Sequence, residues 1–435
     1  MIQPESIQPT TKPYGSADVS RPNYGPAMAV LSTAFFMWGF VTVLNDILVP
    51  HLKGVFDLNY TQTMLIQFAF FSAYFLMSGP SAKVVALIGY KRSMVAGLLV
   101  MATGALLFIP AASVLSYGAF LGGLLVLASG ITLVQVAANP YVAAMGSPET
   151  ASSRLTLAQA LNSLGTTVGP AIGGFLILRA ATHTPAELRA MAPDQLQAWR
   201  LAEAASVKMP YVGIALLLAA VAFAIARFHF PPLEIEPHHE DLSGLGSVWR
   251  YRNLAFGAGA IFVYVGAEVS IGSFLVSYFI QPDIAGLTAP VAARYVSFYW
   301  GGAMVGRFLG VGLLRRFRPG PAVGSAAIVA ALLVVTSILT SGWTAAITIL
   351  AVGLFNSIMF PSIFTLGIAE LGKLTSRGSG VMIAAVVGGA LIPLAEGALA
   401  DRIGLQLAFI LPVVCYLYIV FYGFVGSRPG RFDSV

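Results

Sequence analysis

Residues 94–148 contain no Asp, Glu, Lys or Arg, and neither do residues 319–369. A helix needs about 20 apolar residues to cross a bilayer, so each run has room for two. Single charge-free runs follow at 58–82, 155–178, 209–226, 378–395 and 403–427. Three more apolar stretches carry one or two charges each: 27–52 holds Asp46, 254–280 holds Glu268, and 291–314 holds Arg294 and Arg307. Together they predict an all-α membrane protein of twelve transmembrane helices. Runs such as Gly97-Leu-Leu-Val-Met-Ala-Thr-Gly-Ala-Leu-Leu-Phe do not alternate in polarity, as the strands of a membrane barrel would. Of the whole chain 57% is apolar and 10% charged, against about 25% charged in a soluble domain. That excludes a soluble enzyme, a nucleic-acid binder or a disordered scaffold as whole-chain readings.

With the N-terminus placed in the cytoplasm, fifteen of the 24 Lys and Arg fall inside, six outside, and three at or within spans. Basic residues concentrate in cytoplasmic loops. The expectation is a multi-pass protein of the inner membrane with both termini cytoplasmic. The same count explains the net charge of +6 without an acidic partner. Residues 1–26 are polar, with no apolar signal core, and read as a flexible cytoplasmic tail. Residues 27–228 make the first six-helix half and 229–253 a Pro-rich cytoplasmic linker. Residues 254–427 make the second half and 428–435 a tail. His238-His239, in the linker, reads as solvated loop rather than metal site. In the outer loop 179–208, Thr184-Pro-Ala-Glu187 has the form of a capping box and predicts a short surface helix. The single cysteine, Cys415, reads as a small hydrophobe. No zinc, P-loop or nucleophile motif is present. Gly244-Leu-Gly246 and Gly257-Ala-Gly259 follow no strand and are not dinucleotide sites. The reading is therefore not an enzyme, with no cofactor. Without an ATP site it is a secondary or passive carrier, expected as a monomer.

The halves repeat. Arg154/Arg377, Gly165/Gly388, Pro170/Pro393 and Gly174/Gly397 share an offset of 223. Phe68/Tyr295, Phe71/Phe298 and Gly79/Gly306 share an offset of 227. Transporters built from repeated halves bind substrate near the midplane between them and rock around that site. Glycines four apart, at 165, 169 and 173 and at 302, 306 and 310, allow close helix approach. They read either as static packing or as a surface on which the halves slide.

Polar groups inside the spans are the candidate site. A charge in hydrocarbon is costly, so such residues commonly face a cavity and carry function. Asp46 suits a group that gains a proton outside and loses it inside; its alternative is a structural carboxylate paired to another helix. Glu268 could bond sugar hydroxyls, relay a proton or bind a cation. Glu396 lies closer to the outer surface. Gln135 and Asn139 share one helix face, and Gln159 and Asn162 another. Asn45 and Asn356 add two more amides. Amides both donate and accept, as a sugar hydroxyl does. Trp38 can stack on the apolar face of a sugar, with Tyr264 and Tyr299 as further candidates.

Several stretches resemble the fucose permease and glucose/galactose transporter family of the major facilitator superfamily. They are Phe35-Phe-Met-Trp38-Gly-Phe, Leu44-Asn45-Asp46-Ile-Leu-Val-Pro50, Gln135-Val-Ala-Ala-Asn139-Pro140-Tyr141 and Leu157-Ala-Gln159-Ala-Leu-Asn162-Ser-Leu-Gly165. The second half adds Tyr264-Val-Gly-Ala-Glu268-Val-Ser-Ile-Gly-Ser-Phe, Gly353-Leu-Phe-Asn356-Ser-Ile-Met-Phe-Pro361 and Ala400-Asp401-Arg402-Ile-Gly404. The second half is closer to the glucose/galactose branch. The resemblance implies uptake of a neutral hexose, with protons as the coupling ion and Na+ the alternative. Fucose permeases pair an acidic residue in the first span with a glutamate in the fourth. Asp46 matches the first; Gln135 stands at the second, which puts a two-carboxylate relay in question. The rivals are a uniporter or sodium-coupled carrier, an exporter of apolar drugs, and a non-transporting sugar sensor.

Overall fold

The computed structural model describes residues 24–56, 60–177, 190–231 and 247–432. Among them, nine helical segments are long and apolar enough to cross a membrane. One of these, within Tyr60–Ser113, is two spans run together. At about 1.5 Å per residue its 54 residues reach about 80 Å, far beyond a bilayer core of about 30 Å. It breaks at Gly89, whose φ of 81° lies in the left-handed region open to a residue without a Cβ. Two more helices, Ala151–Ile177 and Ala289–Arg316, complete twelve.

We number them in order. The first half holds α1 (Gly25–Phe56), α2 (60–88), α3 (90–113), α4 (Tyr117–Ala144), α5 (Ala151–Ile177) and α6 (Lys208–Arg227). The second holds α7 (Arg252–Phe279), α8 (Ala289–Arg316), α9 (Pro319–Leu339), α10 (Gly342–Gly367), α11 (Gly372–Ile403) and α12 (Leu405–Gly426). Between α5 and α6 a surface helix occupies Pro193–Ala205, with Pro193 in its first turn. The Thr184 capping box and His238-His239 lie outside the described residues. After α12, the chain returns to the start of α7: the Arg252 N–H donates to Gly430 O at 2.9 Å.

Three helices of the second half are interrupted: α10, α11 and α12, the last at Phe409. The α-helical hydrogen-bond pattern of α10 is interrupted at Ser357 and Ile358 and resumes at Met359. Pro361 has no N–H to offer Ser357, and in the first turn of a new segment none is needed. In α11, a 3-10 turn at Ala385–Val387 precedes Gly388.

The repeat pairs do equivalent work. A Cβ at Gly165 on α5 would collide with the α1 backbone at Phe36 and Phe40. A Cβ at Gly388 on α11 would collide with the α7 backbone at Phe262. Each half thus seats its fifth helix directly on its first. Gly169 likewise faces α1, while Gly302 and Gly306 face α10. These glycines pack helices within a half; Gly310 alone among them also reaches the other half, at Thr156.

The halves meet along two seams, α5 against α8 and α10, and α11 against α2 and α4. Hydroxyls stitch them. The Ser152 and Thr365 hydroxyls lie 2.6 Å apart, Ser153 donates to Val311 O at 2.8 Å, and Ser379 donates to Val136 O at 2.9 Å. The first two lie where α5 begins and α8 and α10 end, toward the end that carries Arg315 and Arg316.

Candidate functional site

In the first half, two candidate groups meet at Tyr74 of α2, and a third is held on α1. Gln135 Nε2 on α4 donates to the Tyr74 hydroxyl at 3.0 Å, and Trp38 on α1 lies against the same hydroxyl. Trp38 remains 9% exposed, and its ring sits 5.5 Å from that of Phe35. Asn162 on α5 donates from Nδ2 to Phe35 O at 2.9 Å. Gly39 makes room for it, since a Cβ there would overlap the Asn162 amide.

Two amides of this half leave buried atoms without partners. Neither Oδ1 nor Nδ2 of Asn139 makes a hydrogen bond, and Gln159 Nε2 makes none. Each such group costs about 1–3 kcal/mol if left dry. These amides have not been spent on holding the fold. Asn139 does not repair the backbone freed by Pro140; α4 runs through that proline unbroken. Asn45 and Asp46 lie on α1, but their side chains are outside the described residues.

The second half is built the opposite way. Asn356 is fully buried and fully satisfied: Nδ2 donates to the Tyr299 hydroxyl at 2.9 Å, and Oδ1 accepts from Tyr416 at 2.8 Å. Tyr264 donates to Glu268 Oε1 at 2.7 Å and also approaches Asn356 O at 3.1 Å. Tyr299 donates to Glu268 O at 3.1 Å. Tyr264 and Tyr299 are therefore not open stacking platforms for a sugar. Both rings are sealed, and their hydroxyls brace Asn356 and Glu268.

Arg307 joins the two halves. Its Nη2 stands 3.9 Å from Glu268 Oε1, and its Nη1 donates to the Ser163 hydroxyl on α5, next to Asn162. Sequence reasoning noted Arg307 as an interruption of the eighth span and assigned it no role. The signal was there, because an arginine in the middle of a span demands a partner. The partners themselves, Glu268 and Ser163, come from two other helices and leave no local trace.

A sequence profile of the Major Facilitator Superfamily matches residues 29–391. The chain belongs to the major facilitator superfamily. Among curated members, the glucose/galactose transporter of Brucella abortus biovar 1 (strain 9-941) is 52% identical over 421 residues, 97% of this chain and 98% of that one. The L-fucose-proton symporter of Escherichia coli (strain K12) is 33% identical over 425 residues, 96% of each chain. A crystal structure of the superfamily transporter FucP in the outward conformation matches with a TM-score of 0.86 at 33% identity. It covers 93% of this chain and 99% of that one. The twelve helices are those of the major facilitator fold, and the chain is a multi-pass membrane protein.

Proposed function

We propose that this chain takes up a neutral hexose together with a proton, by alternating access between its two halves. The observation that carries the reading is the 52% identity, along nearly the whole chain, to a protein named a glucose/galactose transporter. The buried amides support it. Gln135, Gln159 and Asn162, with Trp38, offer donors, acceptors and a flat apolar ring, which together suit a sugar. Glu268 is linked to them through Arg307 and Ser163, Asn139 adds a free amide, Asn356 acts through its tyrosines, and Asn45 on α1 is a further candidate. No chemistry is done on the sugar, and no cofactor takes part.

In this scheme Asp46 receives the proton from outside. Glu268 holds Arg307 while ionised and frees it when protonated, which loosens the bridge to Ser163. The seam contacts near Arg315 and Arg316, and the likeness to FucP in its outward conformation, support an outward-facing state here. The orientation follows the basic loops: both termini lie in the cytoplasm, in the inner membrane. We take the working unit as a monomer. Gln135 favours a second reading, uniport or sodium coupling, because an amide tied to Tyr74 relays no proton.

Reconstituted vesicles decide between them. Labelled glucose or galactose should accumulate under an imposed pH gradient, and Asp46→Asn should abolish accumulation while sparing exchange. Accumulation driven by sodium alone, or no accumulation under either gradient, would overturn proton symport. Unaltered accumulation in the variant would remove Asp46 from it.

A further inference from the structure

Glu396 lies in the second segment of α11 with none of its surface exposed. Its Oε2 meets the Ser270 hydroxyl of α7, and its Oε1 has no hydrogen-bond partner. The groups around it are neutral. Ser270 and Phe274 face this part of α11 from α7, and Cys415 and Tyr416 lie in electrostatic range on α12. No described Lys, Arg or His forms an ion pair with it. Glu268, two residues before Ser270, is engaged elsewhere by Tyr264 and Arg307.

An ionised carboxylate buried without a cation costs several kcal/mol, and a group in that position takes up a proton instead. With the proton on Oε2, shared with Ser270, only a carbonyl oxygen is left unpaired. Nothing structural requires an acid here, since an amide would fill the same space and reach the same serine. An acid kept inside a membrane without a structural partner marks function.

The surrounding helices supply the movement. Gly266 on α7 packs against Ile392, and Gly388 seats α11 on the α7 backbone. The 3-10 turn Ala385–Val387 lies one turn ahead of that contact and gives α11 a place to bend. We infer that Glu396 is a proton-binding site of the transport cycle, neutral while α7 and α11 are closed and ionised when they part. On opening, the O–H bond of the carboxyl breaks. The proton passes to entering water, and the carboxylate left behind is solvated and accepts from Ser270. Once the carrier has reversed its opening, a proton from the opposite side restores the acid, and the helices close over it.

The inference rests on the proton-symport reading, and the experiment separates the two. Wild type and Glu396→Gln are reconstituted in vesicles and loaded with labelled hexose. Wild-type accumulation under a pH gradient establishes symport. The variant is expected to fold and to keep sugar counterflow. Its steady-state accumulation should fall by about tenfold per imposed pH unit, the equivalent of one proton per cycle. Unchanged accumulation would overturn the assignment. So would joint loss of counterflow and thermal stability, which would make Glu396 structural. A second measurement holds even if wild type proves uncoupled. Infrared difference spectra should show a protonated-carboxyl band that Glu396→Gln removes; a spectrum without that contribution would overturn the inference.

Discussion

The two halves share one repeat, yet Asn139 and Gln159 in the first and Asn356 in the second use their buried amides in opposite ways. In the first half, Asn139 and Gln159 leave amide atoms unpaired. In the second, Asn356, Tyr264, Tyr299, Tyr416 and Glu268 close on one another. Unspent hydrogen-bonding capacity is what a ligand can use; a closed network is what keeps a wall rigid. The contrast fits the proposed function if the first half recognises and the second braces, with Arg307 between them. A site of this kind is stronger for having one rigid side, since fewer groups must be ordered when sugar binds.

The sharpest way to break this picture is at Arg307. Arg307→Ala leaves Glu268 without its cation and cuts the link to Ser163. Removing one partner of a buried pair costs about 3–5 kcal/mol, and partial solvent access at both side chains brings the expectation to the low end of that range. Thermal unfolding in detergent should register it, and adding Glu268→Gln should recover part. A variant as stable as wild type would show that the bridge carries nothing. Next in size is Gln159→Ala. It should weaken hexose affinity by about tenfold, the worth of one hydrogen bond near the upper end of its range, with little change in melting temperature. Unchanged affinity would place Gln159 with the braces. The smallest effect belongs to Tyr416→Phe, which frees Asn356 Oδ1. Stability should drop by about 1 kcal/mol while affinity holds. A fall in affinity at constant stability would reverse the division of labour.

Much of the fold was legible because it is written in spacing. Charge-free runs place the spans, and the offset of 223 brings Gly165 and Gly388 to the same task in each half. The candidate site was legible as a list of polar residues in apolar surroundings, and Trp38, Gln135, Asn162 and Glu268 do line neighbouring structure. What no local pattern reveals is which polar groups are already taken. Asn139 and Asn356 look alike in sequence; one is unpaired and the other is held by two tyrosines from α8 and α12. Those partners lie 57 and 60 residues away, so only the packed helices decide between a binding group and a strut. The Thr184 box lies outside the described residues, and the described surface helix that follows it in sequence spans Pro193–Ala205.

The stitches between Ser152 and Thr365, Ser153 and Val311, and Ser379 and Val136 have an energetic meaning of their own. All are neutral, and each contributes about 1 kcal/mol once water is offered in exchange. Three together amount to about 3 kcal/mol, close to what a hundredfold concentration difference delivers. A clasp of hydroxyls can be undone by the same force that it serves to harness.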